Sequence, residues 1–167
     1  IYADMLHRGT ISLSDFIQPR FEPEIAVVLR DAITAKDSAG RIAQAVGGYF
    51  LGIDILDSVW ENYKFTAPEV VADNTSGGGF LLGEHMQPAM PGGTLRLYLN
   101  GELQVEGHLS ALGSPIQSLQ WLARTRGGLD AGMIIFFGSP AASIPAKKGV
   151  LEVADSAGNI LTANVVE

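Results

Sequence analysis

The chain has 167 residues, of which 47% are hydrophobic and none is cysteine, and its formal net charge is −7. This size and apolar content predict one domain with its own core, and the lack of cysteine excludes disulfides and thiolate metal sites. The acidic balance and the scattered lysines and arginines argue against a nucleic-acid partner. No apolar run approaches the roughly 18 residues of a membrane span, so we expect no membrane partner either.

We expect irregular structure over the first twenty residues, and their sequence lacks the features of a signal peptide. The sequence opens Ile-Tyr-Ala-Asp-Met, which lacks an initiator methionine and a charged segment followed by an apolar block. We therefore expect the chain to begin within a longer protein, and we expect a cytoplasmic domain.

A strand is predicted over Glu22–Leu29, which is apolar and rich in β-branched residues after its two acids. Glu22 and Glu24 lie two residues apart, so their carboxylates share one face at a spacing of about 7 Å. Such a pair is either the solvated edge of a half-buried sheet or part of a site for a hard metal ion. The second interpretation requires a third acid from elsewhere, because Mg²⁺ and Mn²⁺ prefer oxygen ligands.

A second apolar strand, Tyr49–Leu56, carries Asp54 between two isoleucines. A carboxylate within an apolar strand is costly unless it is paired or bound to metal. The alternative is that Asp54 lies on the solvent face of a one-sided sheet. Leu56 shares that face and argues mildly against full exposure.

The remaining patterns predict a mainly β fold with a few helices (α+β), of about eight strands and two helices. We interpret residues 1–167 as a single domain built as a sandwich or rolled sheet. The elements that lead to this prediction are a short helix capped at Asp37 or Ser38, a mixed segment Glu61–Val71 broken by Pro68, a polar glycine-rich loop Ala72–Gly83 feeding a short strand, a hairpin with its turn at Asn100-Gly101, a helix opened by a capping box at Ser114–Gln117, and strands at Met133–Phe137, Val150–Val153 and Ile160–Val166.

Five stretches, taken together in their spacing, resemble one enzyme family. They are Gln18–Ala26, Gly52–Ser58, Val71–Ser76, Leu112–Pro115 and Ile144–Gly149. They are similar to the hydratase/decarboxylase branch of the fumarylacetoacetate hydrolase superfamily, which includes 2-keto-4-pentenoate hydratases and 4-oxalocrotonate decarboxylases. The resemblance extends over essentially the whole chain and implies the mixed β-sandwich or roll of a catalytic domain of that family.

The resemblance implies a divalent ion, Mg²⁺ or Mn²⁺, held by a Glu-x-Glu pair and a third acid on a neighbouring strand. These positions fall on Glu22, Glu24 and Asp54. The hydratases usually have glutamate at the third position, so the shorter Asp54 requires closer strands or an intervening water. Asp57 is the alternative third ligand.

The activity implied by the resemblance is that of a metal-dependent lyase in aromatic or steroid catabolism. Its substrate would be a short 2-oxo or 2-hydroxy-dienoic acid, chelated through the 2-oxo and carboxylate oxygens. A hydratase is favoured over a 4-oxalocrotonate decarboxylase-like enzyme, an acylpyruvate-type C–C hydrolase or a non-catalytic partner subunit. Asn74 and Ser76 lie in the loop that resembles the substrate side of the site.

The resemblance leaves the catalytic residue unassigned. The family carries a Gly-x-Lys-hydrophobic-Gly motif in an N-terminal lobe, and this sequence has no such motif. The family's habits also imply a homo-oligomer, or alternatively a complex with an enzyme of the same pathway.

Overall fold

The computed structural model describes residues 3–167. Its α-helices are α1 Ala39–Ala45, α2 Ala67–Ala72 and α3 Pro115–Arg126. Its strands are β1 Thr10–Ser12, β2 Arg20–Leu29, β3 Ile33–Thr34, β4 Val46–Leu56, β5 Gly77–Leu82, β6 Thr94–Leu99, β7 Glu102–His108, β8 Gly128–Leu129, β9 Ile134–Phe136, β10 Ile144–Pro145, β11 Gly149–Ala154 and β12 Ile160–Val166. Short 3-10 turns lie at Ala3–Met5, Leu13–Asp15, Glu61–Tyr63, Asn74–Ser76 and Leu109–Leu112.

The strands form two larger sheets and one small pair. One larger sheet has the order β1-β12-β11-β6-β7, in which β1 and β12 are parallel and the other neighbours are antiparallel. The other has the order β10-β2-β4-β5, and β9 also pairs with β2. The small pair is β3 with β8. The predicted mainly β, α+β class is confirmed.

The hydrophobic core joins the inner faces of the two larger sheets. Along β6 the buried residues Leu95 and Leu97 alternate with the more exposed Arg96 and Tyr98, as the pleat of a strand requires. The fully buried large side chains of the core come from both sheets and from the helices. They are Phe21, Ile11, Ile25, Leu29, Ile33, Ile42, Ile53, Ile55, Leu81, Leu95, Leu97 and Leu119.

Several predicted elements are confirmed in detail. Asn100 and Gly101 both have positive φ, at 53° and 81°, which is the geometry of a tight hairpin turn between β6 and β7. Ser114 caps α3 by accepting a hydrogen bond from the Gln117 backbone N–H at 3.4 Å. Gly127 ends that helix in the left-handed conformation, at φ 84°.

Other expectations were wrong. Pro68 does not break the segment after Glu61, because it lies in the first turn of α2, where a missing N–H costs nothing. The reciprocal capping box occurs here, between Thr66 and Glu69, and not at α3. Gly77 and its two neighbouring glycines lie inside β5 and not in a loop. The predicted number of strands, about eight, was lower than the twelve in the described residues, because two- and three-residue strands are too short to show a sequence pattern.

Three of the twelve described strands have only two residues: β3 and β8 pair with each other, and β10 pairs with the longer β2. β10 holds the end of the 137–143 segment against the start of β2. Among the helices of residues 3–167, none is long and apolar enough to cross a membrane.

Candidate metal centre

The antiparallel register of β2 and β4 brings the three acids predicted as metal ligands together. Glu22 lies directly opposite Asp54, and Glu24 lies opposite Gly52. Because side chains alternate along each strand, all three carboxylates project from one face of the sheet, the face away from the main core. We call Glu22, Glu24 and Asp54 the acidic cluster.

The acidic cluster is tight and shielded from solvent. One carboxylate oxygen of each residue lies within 4.8 Å of an oxygen of the other two. Glu24 is only 3% exposed, and Glu22 and Asp54 are half-buried. Directly opposed residues in an antiparallel pair have Cβ atoms about 4.5–5.5 Å apart, so the shorter aspartate still reaches the cluster.

Glu24 lies beside an interruption in the hydrogen-bonded ladder along β2. β9 and β10 pair with the two ends of β2, and the ladder is interrupted between them, where Pro23 has no N–H to donate. In this gap the Gly138 N–H donates to Glu24 Oε2 at 2.9 Å, and the Ser139 hydroxyl donates to the Pro23 carbonyl at 3.0 Å. The interruption therefore frees a backbone donor for the carboxylate.

Two aromatic rings border the acidic cluster. Phe80 on β5 lies opposite Asp54, and Phe136 on β9 lies opposite Ala26. Their rings meet edge to face at a centroid distance of 5.5 Å. The Phe136 ring occupies the space over Gly52, where a Cβ would overlap it. Glycine at this position therefore lets an apolar ring approach the carboxylates and lower the local dielectric.

This environment raises the pKa of every member of the cluster. Burial raises the pKa of Glu24 to about 8, with the Asp54 charge adding to the effect and the Gly138 N–H opposing it. Burial and the Glu22 charge raise the pKa of Asp54 to about 6. Burial also raises the pKa of Glu22, and the Arg20 guanidinium opposes that shift. Burial and mutual repulsion disfavour the ionised form of these three carboxyl groups, and a bound cation would stabilise that form.

The donor set fits a hard divalent cation. Its potential ligand atoms are all carboxylate oxygens, which is what Mg²⁺ and Mn²⁺ prefer. In the part of the chain described by the structure, this is the one group of three or more His, Cys, Asp or Glu residues close enough to hold a metal ion.

Asp57, the alternative third ligand, has a different position and different partners. It lies just after β4 and outside the acidic cluster. Its carboxylate accepts hydrogen bonds from the Ile17 N–H at 2.9 and 3.0 Å and from the Gln18 N–H at 2.7 Å. These bonds tie the segment before β2 to the end of β4, which favours Asp54 as the third ligand.

The two predicted substrate-binding residues lie in a turn of unusual backbone. Asn74, Thr75 and Ser76 all have positive φ, between 48° and 58°, which is uncommon for residues other than glycine. Asn74 is exposed, whereas Ser76 is buried with its hydroxyl donating to Asp73 Oδ2 at 3.3 Å. Sites with such backbone strain occur often at ligand-binding positions.

Sequence reasoning missed Gly138 and Ser139 and assigned no role to Arg20. Gly138 acts through its backbone N–H, so no side-chain pattern marks it. Pro23 could have pointed to this contact. A proline inside a strand cannot donate a ladder hydrogen bond, so the neighbouring chain is free to bond to another group there.

A mixed β fold with clustered carboxylates on one sheet face places the chain among proteins with an oxygen-ligand site suited to divalent cations. The family follows from the comparison with known proteins. Residues 5–160 match the family model described as fumarylacetoacetate (FAA) hydrolase C-terminal. The chain belongs to the fumarylacetoacetate hydrolase family, and the predicted resemblance is confirmed.

Relatives of known name come from the predicted branch. The chain is 29% identical over 149 residues to a 4-oxalocrotonate decarboxylase of Pseudomonas sp, covering 85% of this chain and 58% of the relative. It is 33% identical over 152 residues to a 2-keto-4-pentenoate hydratase of Paraburkholderia xenovorans (strain LB400), covering 84% of this chain and 56% of the relative. The chain thus spans less than two-thirds of the length of these relatives.

The fold is shared with a solved relative. The 4-oxalocrotonate decarboxylase from Pseudomonas putida G7, complexed with magnesium and adipate, superposes with a TM-score of 0.85 at 27% identity. The match covers 97% of this chain and 66% of that one. The same decarboxylase has also been solved with calcium and acetate.

The raised pKa values predict a pH-dependent stability of the metal-free protein. Between the ordinary glutamate pKa of about 4.3 and the raised values, the folded state binds more protons than the unfolded chain, so the free energy of unfolding should fall as the pH rises. The fall should continue through the Glu24 pKa of about 8. Urea unfolding in a chelating buffer at a series of pH values measures this.

Glu24→Gln should flatten most of the slope, because it removes the most strongly shifted group. Glu102→Gln, which changes an exposed glutamate on β7, should leave the slope as it is. A stability that does not change over this range would contradict the electrostatic description of the acidic cluster.

Proposed function

We propose that this chain carries the metal site of a divalent-metal-dependent lyase that acts on short 2-oxo or 2-hydroxy-dienoic acids. The single observation that supports this most strongly is the convergence of Glu22, Glu24 and Asp54 within 4.8 Å on one shielded sheet face. Membership of the fumarylacetoacetate hydrolase family and relatives named as hydratases and decarboxylases support the same activity.

Glu22, Glu24 and Asp54 would hold Mg²⁺ or Mn²⁺. When bound, the metal supplies Lewis-acid polarisation of the 2-oxo group of the substrate. The magnesium and calcium complexes of the related decarboxylase support a divalent ion, and the carboxylate donors are compatible with either Mg²⁺ or Mn²⁺. The Gly138 N–H would keep the Glu24 carboxylate oriented into the site, and the Phe80 and Phe136 rings would limit water on one side of it.

Hydratases and decarboxylases of this kind share the oxygen-rich head group of their substrates. The acidic cluster therefore supports both activities equally. The residue that moves a proton remains unassigned in this chain, because the lysine motif of the family is not in its sequence.

Mg²⁺ should raise the melting temperature of the protein. A ligand at one hundred times its dissociation constant adds about 2.7 kcal/mol of stability, which corresponds to an increase of roughly 5–10 °C for a chain of this size. Glu22→Gln and Asp54→Asn should each abolish the increase, because each removes a charged ligand from the acidic cluster. Differential scanning fluorimetry with and without Mg²⁺ measures it.

Asp57→Asn is the matched control. It should lower the melting temperature of the metal-free protein, because Asp57 accepts hydrogen bonds from two backbone N–H groups. The Mg²⁺-induced increase should survive in this variant. Loss of the increase in Asp57→Asn and its survival in Asp54→Asn would reassign the third ligand, and no increase in the unchanged protein would contradict the metal site.

We further propose that the turn carrying Asn74 and Ser76 binds the substrate. Support comes from its strained backbone and from the exposed amide of Asn74, which makes no side-chain hydrogen bond within residues 3–167. Ser76 is already bonded to Asp73, so its contribution would be to hold the turn.

Asn74→Ala should weaken the binding of pyruvate to the Mg²⁺-loaded protein by several-fold while leaving the Mg²⁺-induced melting shift unchanged. Ser76→Ala should in contrast lower the melting temperature, since it breaks a buried hydrogen bond. Isothermal titration calorimetry measures the pyruvate affinity of each variant, and thermal melting measures its stability. Unchanged pyruvate affinity in Asn74→Ala would remove that residue from the site.

Self-association is proposed on a separate observation. The outer faces of β11 and β12 expose apolar residues, with Val150 at 45%, Ile160 at 57% and Val166 at 38% exposure. Val150→Lys with Ile160→Lys should shift the protein to a smaller species in size-exclusion chromatography with light scattering. An unchanged mass, or a monomeric parent protein, would contradict it.

A further inference from the structure

Gly107 is a strand residue whose own backbone does not require glycine. It lies within β7, the strand at one end of its sheet, and its φ is not positive. Glycine inside a strand weakens that strand, and it often marks a place where another backbone approaches closely. The reason for glycine at this position therefore lies in what surrounds it.

Gly107 faces the space between the two larger sheets. It lies directly opposite Leu95 in the ladder of β6 and β7, and opposed residues share a face of the sheet. Leu95 is fully buried, so this is the inner face. The Pro140 carbonyl lies against Gly107 there, and a Cβ at this position would overlap that carbonyl and lie 2.9 Å from the Ala141 nitrogen. Glycine therefore makes room for the backbone of the 137–143 segment, which connects β9 to β10.

The same segment also reaches the acidic cluster. The Gly138 N–H donates to Glu24 Oε2 at 2.9 Å, and the hydroxyl of the next residue, Ser139, donates to the Pro23 carbonyl at 3.0 Å. Pro140 follows directly. Two residues of extended chain span at most about 7 Å, so a displacement at Pro140 is passed to Gly138 over a very short path.

The 137–143 segment thus passes around the edge of β2 and joins two faces that point away from each other. Glu24 lies on the face of its sheet away from the main core, whereas Gly107 lies on the inner face of the other sheet. The position of the Gly138 N–H over the acidic cluster therefore depends on how closely the segment packs against β7.

The distances indicate how little movement this contact tolerates. To restore ordinary van der Waals separation around a Cβ at position 107, the Pro140 carbonyl would have to move by roughly an ångström. Hydrogen bonds from N–H groups to oxygen have lengths of about 2.7–3.2 Å. A displacement of that size at Gly138 would take its 2.9 Å bond to Glu24 out of this range.

We propose that Gly107 is a positioning residue for the metal centre: by leaving room for the Pro140 carbonyl, it allows the 137–143 segment to present the Gly138 N–H to Glu24. This inference rests on the proposed function, because it requires that the acidic cluster binds a metal ion. Gly107 lies on the other larger sheet and acts on the cluster only through this segment.

Gly107→Ala tests the inference. Isothermal titration calorimetry should show Mg²⁺ binding about tenfold more weakly than in the unchanged protein, since a hydrogen bond to a charged group commonly contributes that much. In the ¹H–¹⁵N NMR spectrum of the metal-free variant, the Gly138 amide proton should move upfield, because its bond to the carboxylate is lost. A purely structural role of Gly107 within β7 would move neither quantity. A cooperative melting curve shows that the variant is folded.

Gly92→Ala is the matched control. Gly92 is exposed and does not have positive φ, and no described atom lies within 4 Å of an added Cβ. This substitution adds the same methyl group where there is space for it. It should leave both the Mg²⁺ affinity and the Gly138 amide resonance unchanged.

A second measurement uses the unchanged protein and does not depend on the folding of any variant. Addition of Mg²⁺ should move the amide resonance of Gly107 together with that of Gly138, because the 137–143 segment links the two residues. The amide resonance of Gly92 should stay in place.

The outcomes separate this inference from the proposed function. Undiminished Mg²⁺ affinity in Gly107→Ala, or a Gly107 resonance that does not respond to Mg²⁺, would overturn the inference and leave the metal site standing. Weaker Mg²⁺ binding without a change at Gly138, or an equal loss in Gly92→Ala, would also overturn it. Failure of Mg²⁺ to bind the unchanged protein would overturn the proposed function and this inference together.

Discussion

The electrostatic repulsion among three shielded carboxylates is the constraint on which the rest of the site depends. The pairing of Glu22 with Asp54 across β2 and β4 forces like charges together, and burial of Glu24 removes the water that would screen them. A fold does not gain stability from such an arrangement, because hydrophobic residues at the same positions would pack without this penalty. The cluster is therefore better suited to binding a cation than to stabilising the fold.

The neighbouring charges are arranged along one strand in a sequence of opposite signs. Arg20 comes first, and Glu22 and Glu24 follow at alternate positions on the same face. Phe80 lies beside Asp54 on the neighbouring strand, and Phe136 lies opposite Ala26, two residues beyond Glu24, so the face becomes apolar beyond the second glutamate.

The sequence supports the fold class and the three acids because both leave local patterns. The alternating leucines of β6, the Asn-Gly turn and the Glu-x-Glu pair are each readable over a few residues. The register of β2 against β4 is not readable in this way, since a shift of one residue would turn Asp54 to the other face. The roles of Gly138 and Ser143 depend on backbone groups more than 100 residues from their partners, Glu24 and Arg20, and no short-range pattern carries such contacts. The single-domain prediction for residues 1–167 stays a prediction.

The segment between β9 and β10 contacts two charged residues on the same face of β2. The Gly138 N–H, near its start, donates a hydrogen bond to Glu24, and Ser143, near its end, accepts one from Arg20. One short loop therefore sets the position of the Glu24 carboxylate relative to the Arg20 guanidinium. Adding or deleting a residue in this loop would displace one of these charged groups relative to the other without altering either residue.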